Sequence, residues 1–205
     1  MKSASNLLER LKALPHFRKD SVHQLGTKLG LSNTTIDTYI SRYLKRRQLY
    51  HMKRGLYVSA DFFEKNKHDA SYAFYLANII RMPSYVSSWS ALQYYDLTTE
   101  AIRTITSVTP KVTRTYQTKM GTFAYQSMNE ELFTGFSLVK GAFDFFIASP
   151  SKALFDLLYF RTRQFRGTST DNVIALIREL RIDFEEMESS EREKFHAMIA
   201  PYFNE

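Results

Sequence analysis

SVHQLGTKLGLSNTTIDTYISRYLKRRQLYHMKRGLYV, residues Ser21–Val58, decides how this chain is read. Val22, Leu25 and Leu29 are three and four apart, so they share one face of a helix. Gly30 follows, suited to the left-handed position that ends a helix, and Leu31 packs into the angle beyond it. Ser32 is a natural N-cap, because its hydroxyl accepts from the free N–H groups of the next turn. Ile36, Tyr39, Ile40, Tyr43 and Leu44 then recur at helical spacing as a buried stripe. Lys45, Arg46 and Arg47 lead into two short apolar runs, Leu49–Met52 and Leu56–Val58. Lys53-Arg54-Gly55 lies between them and reads as the tip of a hairpin.

A short helix, a glycine turn, a second amphipathic helix, a basic run and a hairpin occur here in the order of a winged helix-turn-helix. That module sets its second helix in the major groove of DNA. Short hydroxyl and amide side chains at the start of such a helix reach base edges, and the later cations suit phosphates. The residues expected to meet DNA are Asn33, Thr34, Thr35, Thr38, Arg42, Lys45 and Arg46 on the helix, with Lys53 and Arg54 on the wing. The plainer reading of the same stretch is a helical hairpin with a solvated polar face. Cap, turn, order and charge together favour DNA.

Charge placement supports that choice. Residues 1–58 hold 12 basic and 3 acidic residues, net +9, while the rest of the chain holds 16 basic and 18 acidic, net −2. The cationic surplus sits in the module that would use it for phosphate attraction and counterion release. An apolar fraction of 44% supports real cores. No run of about eighteen apolar residues suggests a membrane helix. The N-terminal MKSASNLLERLKALP carries charges inside its apolar pattern, unlike a secretory signal. The chain has no cysteine, which excludes disulfides, thiolate-bound zinc and thiol catalysis. A cytoplasmic protein is expected.

Outward from the decisive stretch, Ser5–Leu14 is predicted as a first helix that Pro15 stops. Ala60–Asn66 reads as a short helical exit, with the domain boundary near Ser59–His68. Helices are predicted over Ala70–Ile80, Ser88–Tyr95, Ser151–Arg161, Asp171–Leu180 and Ser190–Ala200. Strands are predicted over Thr104–Val108, Thr113–Tyr116, Thr122–Gln126, Phe136–Lys140 and Phe143–Ile147, rich in β-branched and aromatic residues. The expected fold class is α+β. A winged helix-turn-helix over residues 1–62 precedes a mixed α/β domain over 68–205 with an antiparallel or mixed sheet.

Chemistry-bearing patterns are thin. His16, His23, His51, His68 and His196 are scattered, with no pair at helical metal-ligand spacing. Asp144, Lys152 and Asp156 do not have nuclease spacing, and Lys152 with Asp156 reads as a helix-surface ion pair worth about 0.3 kcal/mol. Trp89, Tyr94 and Tyr95 read as core, with a ligand pocket as the alternative. Arg161, Arg163 and Arg166 read as a solvated loop edge or a local basic patch. No enzyme, metal site or cofactor is expected.

Two further stretches carry a family resemblance. Pro83–Pro110 reads PSYVSSWSALQYYDLTTEAIRTITSVTP, and Ala148–Tyr159 reads ASPSKALFDLLY. With the N-terminal module ending in RGLYV, they resemble the AbiEi family of antitoxins from bacterial abortive-infection (type IV) toxin–antitoxin pairs. The resemblance reaches to about Phe160 and rests mostly on packing residues. It implies an N-terminal winged helix-turn-helix that binds inverted repeats in the promoter of its own operon and represses it. It also implies a C-terminal domain that counters a nucleotidyltransferase-like toxin, with or without direct contact. The chain departs from the family in one respect, because a basic face is expected on the antitoxin domain and this one is net −2. The alternative is a stand-alone regulator whose C-terminal domain binds a ligand or a protein partner.

Overall fold

Helix α1 (Lys2–Lys12) leads into a two-residue strand, β1 (Phe17–Arg18), and then into α2 (Lys19–Lys28) and α3 (Asn33–Lys45). The structure, a computed structural model, describes residues 2–203, with side chains from Asn6 onward. Met1, Asn204 and Glu205, at the ends of the two expected domains, lie outside the described residues, as does the side chain of Ser5. Gly30 takes the positive φ of 76° that ends α2, and Ser32 caps α3 by accepting from the Thr35 N–H at 3.3 Å. Strands β2 (Leu49–Lys53) and β3 (Leu56–Ser59) form the hairpin, and Gly55 turns its tip at φ 76°. The sheet has the order β1-β3-β2 and is antiparallel throughout. Leu7, Leu11, Phe17, Val22, Ile36, Ile40 and Leu49 fill the space between the helices and this sheet.

The stripe read from the sequence is therefore the inner face of α3, with Ile36, Ile40 and Tyr43 buried and Tyr39 and Leu44 half-buried. Strand β1 was not foreseen. One buried residue, Phe17, paired with Tyr57, leaves no pattern long enough to read.

Ser59 caps α4 (Ala60–Asn66), and Asp69 caps α5 (Ala70–Ile80). Beyond lie β4 (Tyr85–Val86), α6 (Ser88–Tyr94), β5 (Thr104–Thr109), β6 (Arg114–Thr118) and β7 (Gly121–Ser127). Then come β8 (Phe136–Val139), β9 (Phe145–Ala148), α7 (Pro150–Arg161), α8 (Thr170–Glu179) and α9 (Ser189–Ile199). The sheet order is β6-β7-β5-β4-β9-β8. It is mixed, because β5 with β7 and β4 with β9 run parallel and the other pairs antiparallel. The chain is thus α+β. Among the described residues no helix is long and apolar enough to cross a membrane.

Helix α7 departs from its reading. Ala153, Leu154, Leu157 and Leu158 share one face at helical spacing, yet every residue from Ser151 to Tyr159 is buried. It packs against α6, α9 and β9, so no face is left for water.

The N-terminal elements are tied to this body. Met52, Leu56 and Val58 of the hairpin belong to the same core as α5 and the larger sheet. Tyr72 donates from its hydroxyl to the Pro15 carbonyl at 2.7 Å, and the Tyr75 hydroxyl lies 2.6 Å from His16 Nδ1.

Candidate nucleic-acid interface

Capping decides what the first turn of α3 can offer. The Ser32 hydroxyl lies 2.8 Å from Thr35 Oγ1 and 3.2 Å from Thr34 Oγ1. Thr35 is half-buried and spends its hydroxyl on this cluster, whereas Thr34 is exposed. Thr38 is also exposed, and donates to the Thr34 carbonyl at 2.8 Å, which leaves its methyl group and an acceptor lone pair to face outward. Arg42, Lys45 and Arg46 follow on the exposed surface, and no carboxylate among the described residues pairs with them.

Asn33 is only partly free. Its Oδ1 lies 3.0 Å from His23 Nδ1, and Asp37 Oδ1 lies 2.8 Å from His23 Nε2 and 2.9 Å from the Lys19 ammonium. Both ring nitrogens of His23 thus face oxygen acceptors, a setting that favours the doubly protonated ring. Bonds from Asn33 and then Asp37 raise the His23 pKa, and bonds from Lys19 and then His23 hold Asp37 below its ordinary value.

The α2–α3 contact is therefore linked to pH. A histidine raised above its unfolded pKa of about 6.5 stabilises the fold fully below that value. The contribution is lost as pH rises through the folded pKa. His23→Gln should cost up to about 1 kcal/mol at pH 5.5, the range of exposed ion pairs, and less at pH 8.5. Urea midpoints of both proteins at the two pH values measure this, and a larger loss at pH 8.5 would reverse the assigned sign.

The hairpin tip separates two neighbouring cations. Arg54 is exposed. Lys53, expected on the wing surface, instead donates from its ammonium to the Ile80 carbonyl at the end of α5, at 2.5 Å. Burial lowers its pKa, and Arg18, Lys111 and Arg81 crowd it in the same sense. Lys53 fastens the hairpin to the body, and Arg54 is left to reach outward.

That crowding exposes what the charge count concealed. Residues 101–129 contain Arg103, Lys111, Arg114 and Lys119 and no carboxylate. Strand β6 packs beside β2, so this segment lies next to the N-terminal module. Lys119 shares an open cleft with Lys45, Arg47 and His51, and Arg18 and Lys19 flank Arg54 on the other side of the hairpin. Net −2 for the C-terminal part averaged a basic hairpin against acidic helices. Charge counted in windows of about thirty residues would have found it.

The other sequence candidates do not assemble into a site. Asp144 is exposed and accepts from the Gly141 N–H. The Lys152–Asp156 pair is not on a helix surface, as expected, but 2% and 0% exposed. Its Nζ and Oδ1 are 2.7 Å apart. The Tyr85 and Ser87 hydroxyls donate to Asp156 Oδ2 at 3.0 and 2.6 Å. Burial pushes the Asp156 carboxyl up, against the pull of Lys152. Tyr95 donates to the Ala148 carbonyl, and Tyr94, though exposed, packs its ring on Phe74 and Phe145 at the edge of the core. Arg161, Arg163 and Arg166 are exposed around the buried Phe165. Among the described residues no three metal-ligating side chains come together. Comparison with protein-family models and with curated proteins returned no match.

Proposed function

We propose that residues 1–62 form a winged helix-turn-helix that binds duplex DNA, and that the protein is the antitoxin and autorepressor of an AbiEi-like toxin–antitoxin operon. One observation carries the reading: Arg42 and Lys45 on α3 and Arg46 at its C-cap, none with a carboxylate partner among the described residues, stand on one molecule with Arg54 at the hairpin tip and Lys119 beside β2. In this reading α3 enters the major groove, with Thr34 and Thr38 at base edges and the arginines and lysines on phosphates. Arg54 and Lys119 extend the phosphate contacts on either side. Residues 68–205 counter a nucleotidyltransferase-like toxin made from the same operon in the cytoplasm. The resemblance quoted above supports that second half of the reading.

The DNA half is tested by titrating the protein's own upstream region at several salt concentrations. Each phosphate contact contributes a slope of about −0.9 in log K against log salt. Arg54→Ala and Lys119→Ala should each lower the slope by about one, on operator and on random DNA alike. An unchanged slope removes that residue from the interface, and no binding at low salt removes the DNA reading. The antitoxin half is tested by co-expression, where this protein should restore growth to cells making the neighbouring gene product.

A further inference from the structure

Where the β2–β3 hairpin meets the body, four like charges gather. Arg18, Lys111 and Arg81 crowd the Lys53 ammonium. Arg81 is 9% exposed. No carboxylate among the described residues lies within ion-pair distance of any of the four. Three of them bond neutral groups instead. Lys53 donates to the Ile80 carbonyl and Lys111 to the Met82 carbonyl, both at 2.5 Å. Arg81 donates to the Val112 carbonyl and, at 3.3 Å, to the Tyr116 hydroxyl. These dipoles satisfy the donors but leave the positive charges without a counter-charge, which is costly where they are partly buried.

The cluster opens into a cleft. Strand β1 sets Arg18 opposite Leu56, and the Lys19 N–H donates to the Gly55 carbonyl at 2.9 Å. The end of β1 and the hairpin tip therefore stand side by side. A cleft of about 620 Å³ at this place is lined by Arg18, Lys19, Lys53 and Arg54. Arg18 and Arg54 are exposed. Lys19 is already paired with Asp37 at 2.9 Å. Asp20 is the one carboxylate in the lining, and it offsets a single charge. Leu56 and Tyr57, also in the lining, are 2 and 8% exposed, so the cleft offers little apolar surface.

We propose that this cleft binds a phosphate group, held by the Arg18 and Arg54 guanidiniums with the Lys53 ammonium behind them. The surplus of charge selects a phosphate over a carboxylate. A carboxylate has two oxygens, whereas a phosphate offers further oxygens to a second guanidinium fork. The bound group also supplies the counter-charge that the hairpin and the body lack where they meet, so occupancy stabilises the fold. The phosphate comes from a DNA backbone or from a free phosphorylated molecule. In the first case the proposal rests on the DNA reading and adds Arg18 to its contacts; in the second it stands without that reading.

The test has two arms, both on the full chain. In the first, without DNA, the thermal melt is followed in pyrophosphate, acetate and chloride at matched ionic strength and pH 7. Pyrophosphate should raise the melting temperature saturably above the other two salts. Arg18→Gln and Arg54→Gln should each weaken its binding about tenfold. Lys28→Gln, at an exposed position of α2 outside the cleft, should leave it unchanged. In the second arm a random-sequence duplex is titrated at several salt concentrations, and Arg18→Gln should lower the slope by about one. A lowered slope without a pyrophosphate response makes the DNA backbone the source. A pyrophosphate response with an unchanged slope makes it a free phosphate. If Arg18→Gln alters neither arm, if acetate gives the same saturable response as pyrophosphate, or if Lys28→Gln weakens pyrophosphate as much as Arg18→Gln does, the proposal is overturned. A chain that binds pyrophosphate through Arg18 and ignores DNA refutes the DNA reading and leaves this site standing.

Discussion

Asp156→Ala should lower the unfolding free energy by about 3–5 kcal/mol, the cost of leaving one charge of a buried pair uncompensated. The Lys152 ammonium would lose the carboxylate at 2.7 Å and keep only the Phe155 ring, whose centroid is 4.7 Å away. The Tyr85 and Ser87 hydroxyls would lose their acceptor as well. Water cannot step in easily, because α7 is covered on all sides and Gly135 closes over the lysine stem. A Cβ at Gly135, whose φ is +73°, would come within 3.0–3.2 Å of that stem. Lys152→Met with Asp156→Leu removes both charges at similar volume and should recover most of the loss, since apolar replacements of buried pairs are often neutral. Urea denaturation of the single and double variants decides the matter. Equal losses in both would mean that packing volume, not charge pairing, holds α7 in place.

The same pair marks where reading from sequence runs out. Lysine four residues before aspartate has one spacing, whether the helix faces water or lies in a core. Only the tertiary partners Tyr85 and Ser87, some seventy residues away, distinguish the two. Helix α3 was legible because burial on one face imposes a 3.6-residue period and because a cap must be a short polar side chain. Strands β1 and β4 were not, since two residues carry no period. Lys53 and Arg54 look equivalent in sequence. The register shift between His51 and Lys53 interrupts the alternation of β2, so no period-two argument predicts which cation turns inward. Lys119 was hidden differently: it comes beside Lys45 only because β6 is the sheet edge that meets β2. The basic surface was thus readable where it is one continuous helix, and unreadable where separate elements complete it.

Gly26→Ala should destabilise the protein by about 1–3 kcal/mol, the usual cost of overpacking, and displace α3 from α2. Helix propensity alone predicts the opposite, because alanine is favoured over glycine inside a helix by about 1 kcal/mol. Packing decides the sign. A Cβ on Gly26 would lie 2.5 Å from Ile36 Cδ1 and 2.6 Å from its Cγ1. Ile36 is 0% exposed, so its side chain has nowhere to rotate without moving Val22 or Ile40 or separating the helices. Separation would tilt the face that carries Thr34, Thr38 and Arg42, and operator affinity should then fall further than affinity for random DNA. Ile36→Ala alone should cost about 2–5 kcal/mol through the cavity it leaves. Combined with Gly26→Ala it should cost less than the sum, because the new methyl group occupies part of that cavity and the clash disappears. A double-mutant cycle on denaturation midpoints measures the coupling. Strict additivity would show that Gly26 and Ile36 do not share that space, and with it the proposed close approach of α2 to α3 would fail.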